Sequence, residues 1–189
     1  MITAIIFDFF GVISRSTYQL VIEDTVLSKP QELQLTDLHK SFDNGFVTDE
    51  EFLVTYAEIL GMDYQTFVNK YYESEGRSTN SPQMLALVDS LKNSYKVGLL
   101  SNIGLDGYKK FIQPIEHHFD AVVTSYSTGM AKPNTAIFEH MANKLDVDVS
   151  ECIMIDDLES NCEGARAAGM QAICFTTITS LKTQLSENI

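Results

Sequence analysis

An α/β fold, a parallel sheet flanked by helices with a small helical insertion after the first strand, is predicted by two observations. Short apolar runs alternate with longer segments of helical period, the sequence sign of strands buried on both faces. Three of the five runs end directly on a residue suited to chemistry. The runs are Ala4-Ile5-Ile6-Phe7, Val97-Gly98-Leu99-Leu100, Ala121-Val122-Val123, Ile153-Met154-Ile155 and Ala172-Ile173-Cys174-Phe175. The residues that follow the first, second and fourth are Asp8, Ser101 and Asp156. Ligands of open α/β sheets bind beyond the carboxyl ends of the strands, so these three belong to one candidate edge.

Along the chain, the first strand gives way at about Ser14 to a stretch without strand alternation, which reads as several short helices. The clearest opens with Thr48-Asp49-Glu50-Glu51, a capping-box pattern, and continues with Phe52, Tyr56, Ile59 and Leu60 at helical spacing before Gly61 ends it. Tyr64, Phe67, Val68, Tyr71 and Tyr72 follow in the same style. The expected organisation is therefore a core of residues 1–13 and 81–189, with residues 14–80 as a helical cap that could not fold alone. Ser81-Pro82 marks the return to the core as an N-cap and first-turn proline, and Met84, Leu87, Val88 and Leu91 then share one helical face. Ile137, Phe138, Met141 and Leu145 form a second apolar stripe, and Gly169 is placed to end a helix containing Ala165, Arg166, Ala167 and Ala168.

Composition narrows the function. With 189 residues, 44% of them apolar, the chain is long enough for one well-packed domain with an insertion. A formal charge of −13 excludes a nucleic-acid partner as the leading reading, because phosphate-backbone affinity rests on clustered Lys and Arg. No apolar run approaches the roughly 18 to 20 residues needed to span a bilayer, and Met1 to Phe10 run straight into a strand pattern, so a cytoplasmic protein without a membrane partner is expected. Cys152, Cys162 and Cys174 are odd in number and lack metal-ligand spacing, which reads as reduced core thiols. A monomer and a homodimer fit the sequence equally.

Four short segments carry the candidate chemistry. In Ile6-Phe7-Asp8-Phe9-Phe10-Gly11 a carboxylate sits at a strand tip ahead of a turn glycine, suited to a nucleophile or metal ligand but also to an ordinary turn. Leu99-Leu100-Ser101-Asn102 delivers a hydroxyl and an amide to the same edge, where they could hold a phosphoryl oxygen. In Gly129-Met130-Ala131-Lys132-Pro133-Asn134 a lone lysine precedes a helix-starting proline, which could aim the ammonium inward; a surface lysine is the plainer alternative. The strongest segment is Ile153-Met154-Ile155-Asp156-Asp157, followed by Asn161 and Gly164. Two adjacent acids at the mouth of a buried strand repel each other unless a cation lies beside them, and N-capping accounts for only one. Magnesium, a hard ion that prefers oxygen, is the natural candidate. His117-His118 read as a helix-end or loop pair, and His39 and His140 show no usable partner spacing.

In this order, the four segments resemble the haloacid dehalogenase-like hydrolase superfamily, in the subgroup with a helical cap between the first and second motifs. The resemblance implies a Rossmann-like core. It further implies that Asp8 attacks phosphorus to form an aspartyl-phosphate, that Ser101, Asn102 and Lys132 bind the phosphoryl group, and that Lys132 balances its charge. Magnesium would be held by Asp8, the backbone carbonyl of Phe10 and Asp157, with Asp156 supporting it directly or through water and Asn161 bracing the loop. The implied activity is a magnesium-dependent phosphatase of a small phosphorylated metabolite, with selectivity residing in cap side chains.

One position departs from the pattern. Most phosphatases of the family carry a second Asp two residues after the nucleophile as general acid and base, and here that position is Phe10. Loss of such assistance typically forfeits about 10² to 10⁴ in rate. Some relatives of the capped subgroup that lack this acid are nonetheless regarded as phosphatases, and a good leaving group would need it least. Phe10 keeps two alternatives open: a metal-independent 2-haloacid dehalogenase, in which an aromatic residue stands at this position, and a phosphate-binding regulatory protein with impaired catalysis.

Overall fold

The computed structural model describes residues 1–15, 17–23, 25–43, 46–75 and 79–189. Positions 16, 24, 44–45 and 76–78 of the expected helical segment lie outside the described residues. The chain divides into two compact units, Met1–Ser14 with Asn80–Ile189, and Arg15–Thr79.

All five expected strands are present in the first unit: β1 (Ala4–Phe7), β2 (Lys96–Ser101), β3 (Ala121–Thr124), β4 (Cys152–Asp156) and β5 (Gln171–Cys174). They form one wholly parallel sheet in the order β3-β2-β1-β4-β5. Strand side chains alternate between faces, and each face has its own apolar core. Ile5, Phe7, Leu99, Ile153 and Ile155 join Met84 and Val88 of helix Pro82–Leu91 and Leu181 and Leu185 of helix Ile178–Asn188 on one side. Ala4, Ile6, Leu100 and Met154 join Ile137, Phe138, Met141 and Leu145 of helix Thr135–Leu145 on the other. This is why the strands read as unbroken apolar runs: both faces are covered.

The helix boundaries have local causes. Ser81 accepts a hydrogen bond from the Met84 backbone N–H (3.3 Å) with Pro82 in the first turn. Gly169 ends helix Glu159–Ala168 in the left-handed conformation.

The second unit is helical: Thr17–Ile22, Lys29–Asp43, Asp49–Leu60 and Tyr64–Glu75. Thr48 and Glu51 complete the expected capping box, and Gly61 closes that helix. Its core mixes aliphatic and aromatic side chains, with Val21, Leu35, Phe52, Tyr56 and Phe67 buried and Tyr18, Phe42 and Tyr71 packed against them. The expected stripe holds at Phe67, Val68 and Tyr71, whereas Tyr64 and Tyr72 are exposed. Tyr72 directly follows Tyr71, and consecutive helical residues project about 100° apart, so one of the pair turns outward. Among the described residues, no helix is long and apolar enough to cross a membrane.

Candidate active site

The sheet order places β1 centrally, with β2 on one side and β4 on the other. The chain builds outward through β2 and β3 before returning to β4, which makes the carboxyl end of β1 and β4 the topological switch point where such sheets bind ligands. Registration of Phe7 with both Leu99 and Ile155 sets the residues beyond them, Asp8, Leu100-Ser101 and Asp156, along one edge. The Asp8 backbone N–H continues the ladder by donating to the Ile155 carbonyl (2.8 Å).

Lys132 occupies the centre of this edge. Its Nζ donates to Asp8 Oδ1 at 2.7 Å and to Asp156 Oδ2 at 2.6 Å. The ammonium is inside the protein: Lys132 is 2% exposed, Asp8 6% and Asp156 0%. Asn102 places it, donating through Nδ2 to the Lys132 carbonyl (2.9 Å) and accepting at Oδ1 from the Lys132 N–H (2.8 Å). The surface alternative for Lys132 is thereby excluded. Asn102, expected among the phosphoryl-binding groups, spends its amide on the lysine peptide. Close approach also fixes the following residue: a Cβ at Gly164 would stand 2.3 Å from the Pro133 carbonyl oxygen, so only glycine lets helix Glu159–Ala168 rest there.

The paired acids divide their tasks. Asp156 is held on both oxygens: Oδ2 takes Lys132, while Oδ1 accepts from the Leu158 N–H and from Asn161 Nδ2, both at 3.0 Å. Asn161 therefore braces the strand-end loop through Asp156, and the Leu158 N–H is a partner that the sequence did not single out. Asp157 is half-buried and turns toward the first motif. A Cβ at Gly11 would lie 2.0 Å from Asp157 Oδ2, and Gly11 has φ +83°. Glycine is thus required twice over here, for the left-handed backbone and for the carboxylate lying against it. Asp8, Asp156 and Asp157 each offer a carboxylate oxygen within 4.8 Å of the others.

Three carboxylates are gathered here, and Lys132 pairs with two of them, Asp8 and Asp156. Burial pushes the Asp8 carboxyl well above its ordinary range, and Asp156 and Asp157 push the same way against the opposing pull of Lys132. Burial would lower the Lys132 pKa, but Asp156 and Asp8 outweigh it and hold the ammonium charged. The donor set at Asp8 and Asp157 is all oxygen and negatively charged, which fits a hard divalent cation.

The remaining expected residues are less closely gathered. Ser101 ends β2 at the same edge, buried and in register with Thr124. Phe10 lies in the turn after Asp8, where the Gly11 N–H donates to the Ser14 carbonyl (2.7 Å). Its ring packs against Phe9 and Phe111, with centroids 4.8 and 5.8 Å away. His117 and His118 end a short 3₁₀ helix, where His118 Nδ1 pairs with Asp89 (2.6 Å), in keeping with a helix-end role.

Comparison with known proteins points the same way. The model of the haloacid dehalogenase-like hydrolases matches residues 2–169. Phosphatase MT3486 of Mycobacterium tuberculosis is 26% identical over 197 residues, 90% of this chain and 86% of that protein. Glyceraldehyde 3-phosphate phosphatase of Methanothermobacter thermautotrophicus is 36% identical over 90 residues, but these make up only 46% of this chain and 40% of that protein. A haloacid dehalogenase family enzyme of Bacteroides thetaiotaomicron, solved with magnesium and inorganic phosphate, shares the fold at a TM-score of 0.61 and 22% identity, covering 96% of this chain and 99% of that one.

Proposed function

Because this chain belongs to the haloacid dehalogenase-like hydrolase family, we propose that it is a magnesium-dependent phosphatase of a small phosphorylated metabolite, with Asp8 as nucleophile. The carrying observation is the cluster of three carboxylates at the sheet edge, Asp8, Asp156 and Asp157, with Lys132 between the first two. Carboxylates gathered this closely repel one another, and a cation beside them relieves that repulsion. The relatives that act on phosphorylated metabolites by name, such as the glyceraldehyde 3-phosphate phosphatase, support the substrate class.

In this reading Asp8, the Phe10 carbonyl and Asp157 would hold magnesium, which would supply charge neutralisation at the transferring phosphoryl group. Asp8 forms a bond from its carboxylate oxygen to phosphorus as the bond to the leaving oxygen breaks, giving an aspartyl-phosphate and a released alcohol. Water then attacks phosphorus, freeing phosphate and restoring the carboxylate. Lys132 holds Asp8 in position and offers its positive charge to the phosphoryl oxygens, with Ser101 beside it at the same edge. Asn102 and Asp156 fix the lysine from its two ends. Positioning and electrostatics supply most of the catalysis in phosphoryl transfer, so a site of this composition is adequate in kind.

Phe10 offers no proton to the leaving group, which therefore draws one from solvent. The barrier is higher by about 3 to 5 kcal/mol than with a placed acid, and substrates with good leaving groups, such as sugar 1-phosphates and acyl phosphates, suit it best. The dehalogenase alternative leaves Asp157 and its contact with Gly11 without a purpose. A panel of sugar phosphates, nucleotides and acyl phosphates, assayed with and without magnesium, tests the proposal. Magnesium-dependent phosphate release that Asp8→Asn abolishes is expected. Metal-independent chloride release from a chlorinated short-chain acid would install the dehalogenase instead, and tight phosphate binding without turnover would install the regulatory protein.

A further inference from the structure

Cys162 and Cys174 are twelve positions apart in sequence, yet the fold brings their sulfurs together with the Glu159 carboxylate, all three donor atoms within 4.8 Å of one another. Glu159 and Cys162 stand one turn apart on the same face of helix Glu159–Ala168. Cys174 ends β5, where it registers with Asp156 of β4. The β4–helix–β5 connection thus folds back on itself to close the group.

We propose that Glu159, Cys162 and Cys174 form a second cation site, for a thiophilic ion of the zinc class, separate from the carboxylate site at Asp8 and Asp157. Donor chemistry separates the two. A pair of sulfurs with one carboxylate selects zinc-class ions, whereas magnesium takes oxygen ligands. Spacing agrees: sulfur–zinc bonds of roughly 2.3 Å in a tetrahedron place two sulfurs roughly 3.8 Å apart, inside the span observed here. Exposure is graded to let an ion in, with Cys162 buried, Cys174 half-buried and Glu159 exposed. The fourth position falls to water, as in sites that keep an open ligand.

The donors are already held in place. Cys162 Sγ donates to the Asp156 carbonyl (3.6 Å) and Cys174 Sγ to the Asp157 carbonyl (3.7 Å). Arg166 Nη1 holds Glu159 Oε1 at 2.5 Å. Ion binding would exchange the two weak sulfur hydrogen bonds for sulfur–metal bonds, each thiol releasing its proton to solvent. Those hydrogen bonds end on the peptides of Asp156 and Asp157, so the second site adjoins the loop that carries the first.

The test is a titration of the reduced, magnesium-saturated full chain with cadmium, followed by the ultraviolet band of cadmium–thiolate charge transfer. One cadmium per chain with that band is expected. Cys174→Ser, at a half-buried position, should weaken binding at least roughly tenfold and diminish the band, while the exposed Glu159→Gln should weaken binding and keep the band. Cys152→Ala should change neither. Absence of the thiolate band in the wild-type chain would overturn the proposal, as would unchanged affinity in Cys174→Ser variants that retain native circular dichroism. Because the band reports sulfur alone, failure here would leave the magnesium reading standing, and failure of that reading would leave this one.

Discussion

Two basic side chains, one in each unit, Lys132 buried and His39 half-buried, meet opposite fates. Lys132, at the motif edge of the α/β unit, lies between Asp8 and Asp156 and stays charged, because neighbouring carboxylates outweigh the cost of burial. His39, in the helical unit, lies among the rings of Tyr18, Phe52 and Tyr56 at centroid distances of 5.3, 5.1 and 5.7 Å. Burial alone lowers its pKa to about 4, so it is neutral at pH 7. Burial acts in the same direction on both, and the company each side chain keeps decides the outcome. Charge is concentrated at the carboxyl edge of the sheet, while the helical unit is held together by apolar and aromatic packing in which each ring pair adds about 0.5 to 1.5 kcal/mol.

The contrast can be broken most forcefully at Lys132. Lys132→Met would leave Asp8 and Asp156 buried without their ammonium, and stability in urea at pH 7 without metal should fall by about 3 to 5 kcal/mol. Adding Asp8→Asn should restore part of the loss, since one of the two stranded charges is then gone. A decrease under about 1 kcal/mol would mean that the lysine does not balance the carboxylates.

Phe10 is the aromatic residue that intrudes on the charged edge. With magnesium saturating, Phe10→Asp should raise the rate on poor leaving groups by tenfold or more, toward the 10² to 10⁴ typical of acid–base help. Substrates with good leaving groups should gain less. An unchanged rate on both kinds would show that proton supply does not limit the proposed reaction.

The smallest effect concerns His39. Its folded pKa of about 4 lies below the ordinary 6.5, so the unfolded chain takes up a proton first as pH falls. The stability associated with the neutral ring is complete above pH 6.5 and is lost progressively between 6.5 and 4. His39→Phe should therefore lessen the drop in urea stability between pH 7 and pH 5 by on the order of 1 kcal/mol. Identical pH dependence in the two proteins would contradict the neutral, ring-packed histidine.

Strand-end residues were legible in sequence because a buried parallel strand announces itself as an apolar run, and whatever polar residue follows it must stand at the sheet edge. Asp8, Ser101 and Asp156 were found in that way. Lys132 was harder, since a lysine before a proline is more often exposed, and only the Asn102 clamp explains its inward path. The division of labour between Asp156 and Asp157 depends on strand order and on the contact with Gly11, neither of which any local pattern encodes. The same holds for Cys162 and Cys174, whose spacing is unlike a metal motif until β5 is laid beside β4. In the helical unit the helices and the capping box were legible, but periodicity alone did not tell Tyr72, which faces solvent, from Tyr71, which is packed inside.

Calorimetric titration of magnesium into the wild-type chain, Asp157→Asn and Gly11→Ala is the most direct test that the first and fourth motifs gather one cation. A single magnesium per wild-type chain is expected, bound at least roughly tenfold more weakly by Asp157→Asn, and weakened likewise in Gly11→Ala because the added methyl displaces the Asp157 carboxylate. Magnesium affinity unchanged by both substitutions would contradict the account.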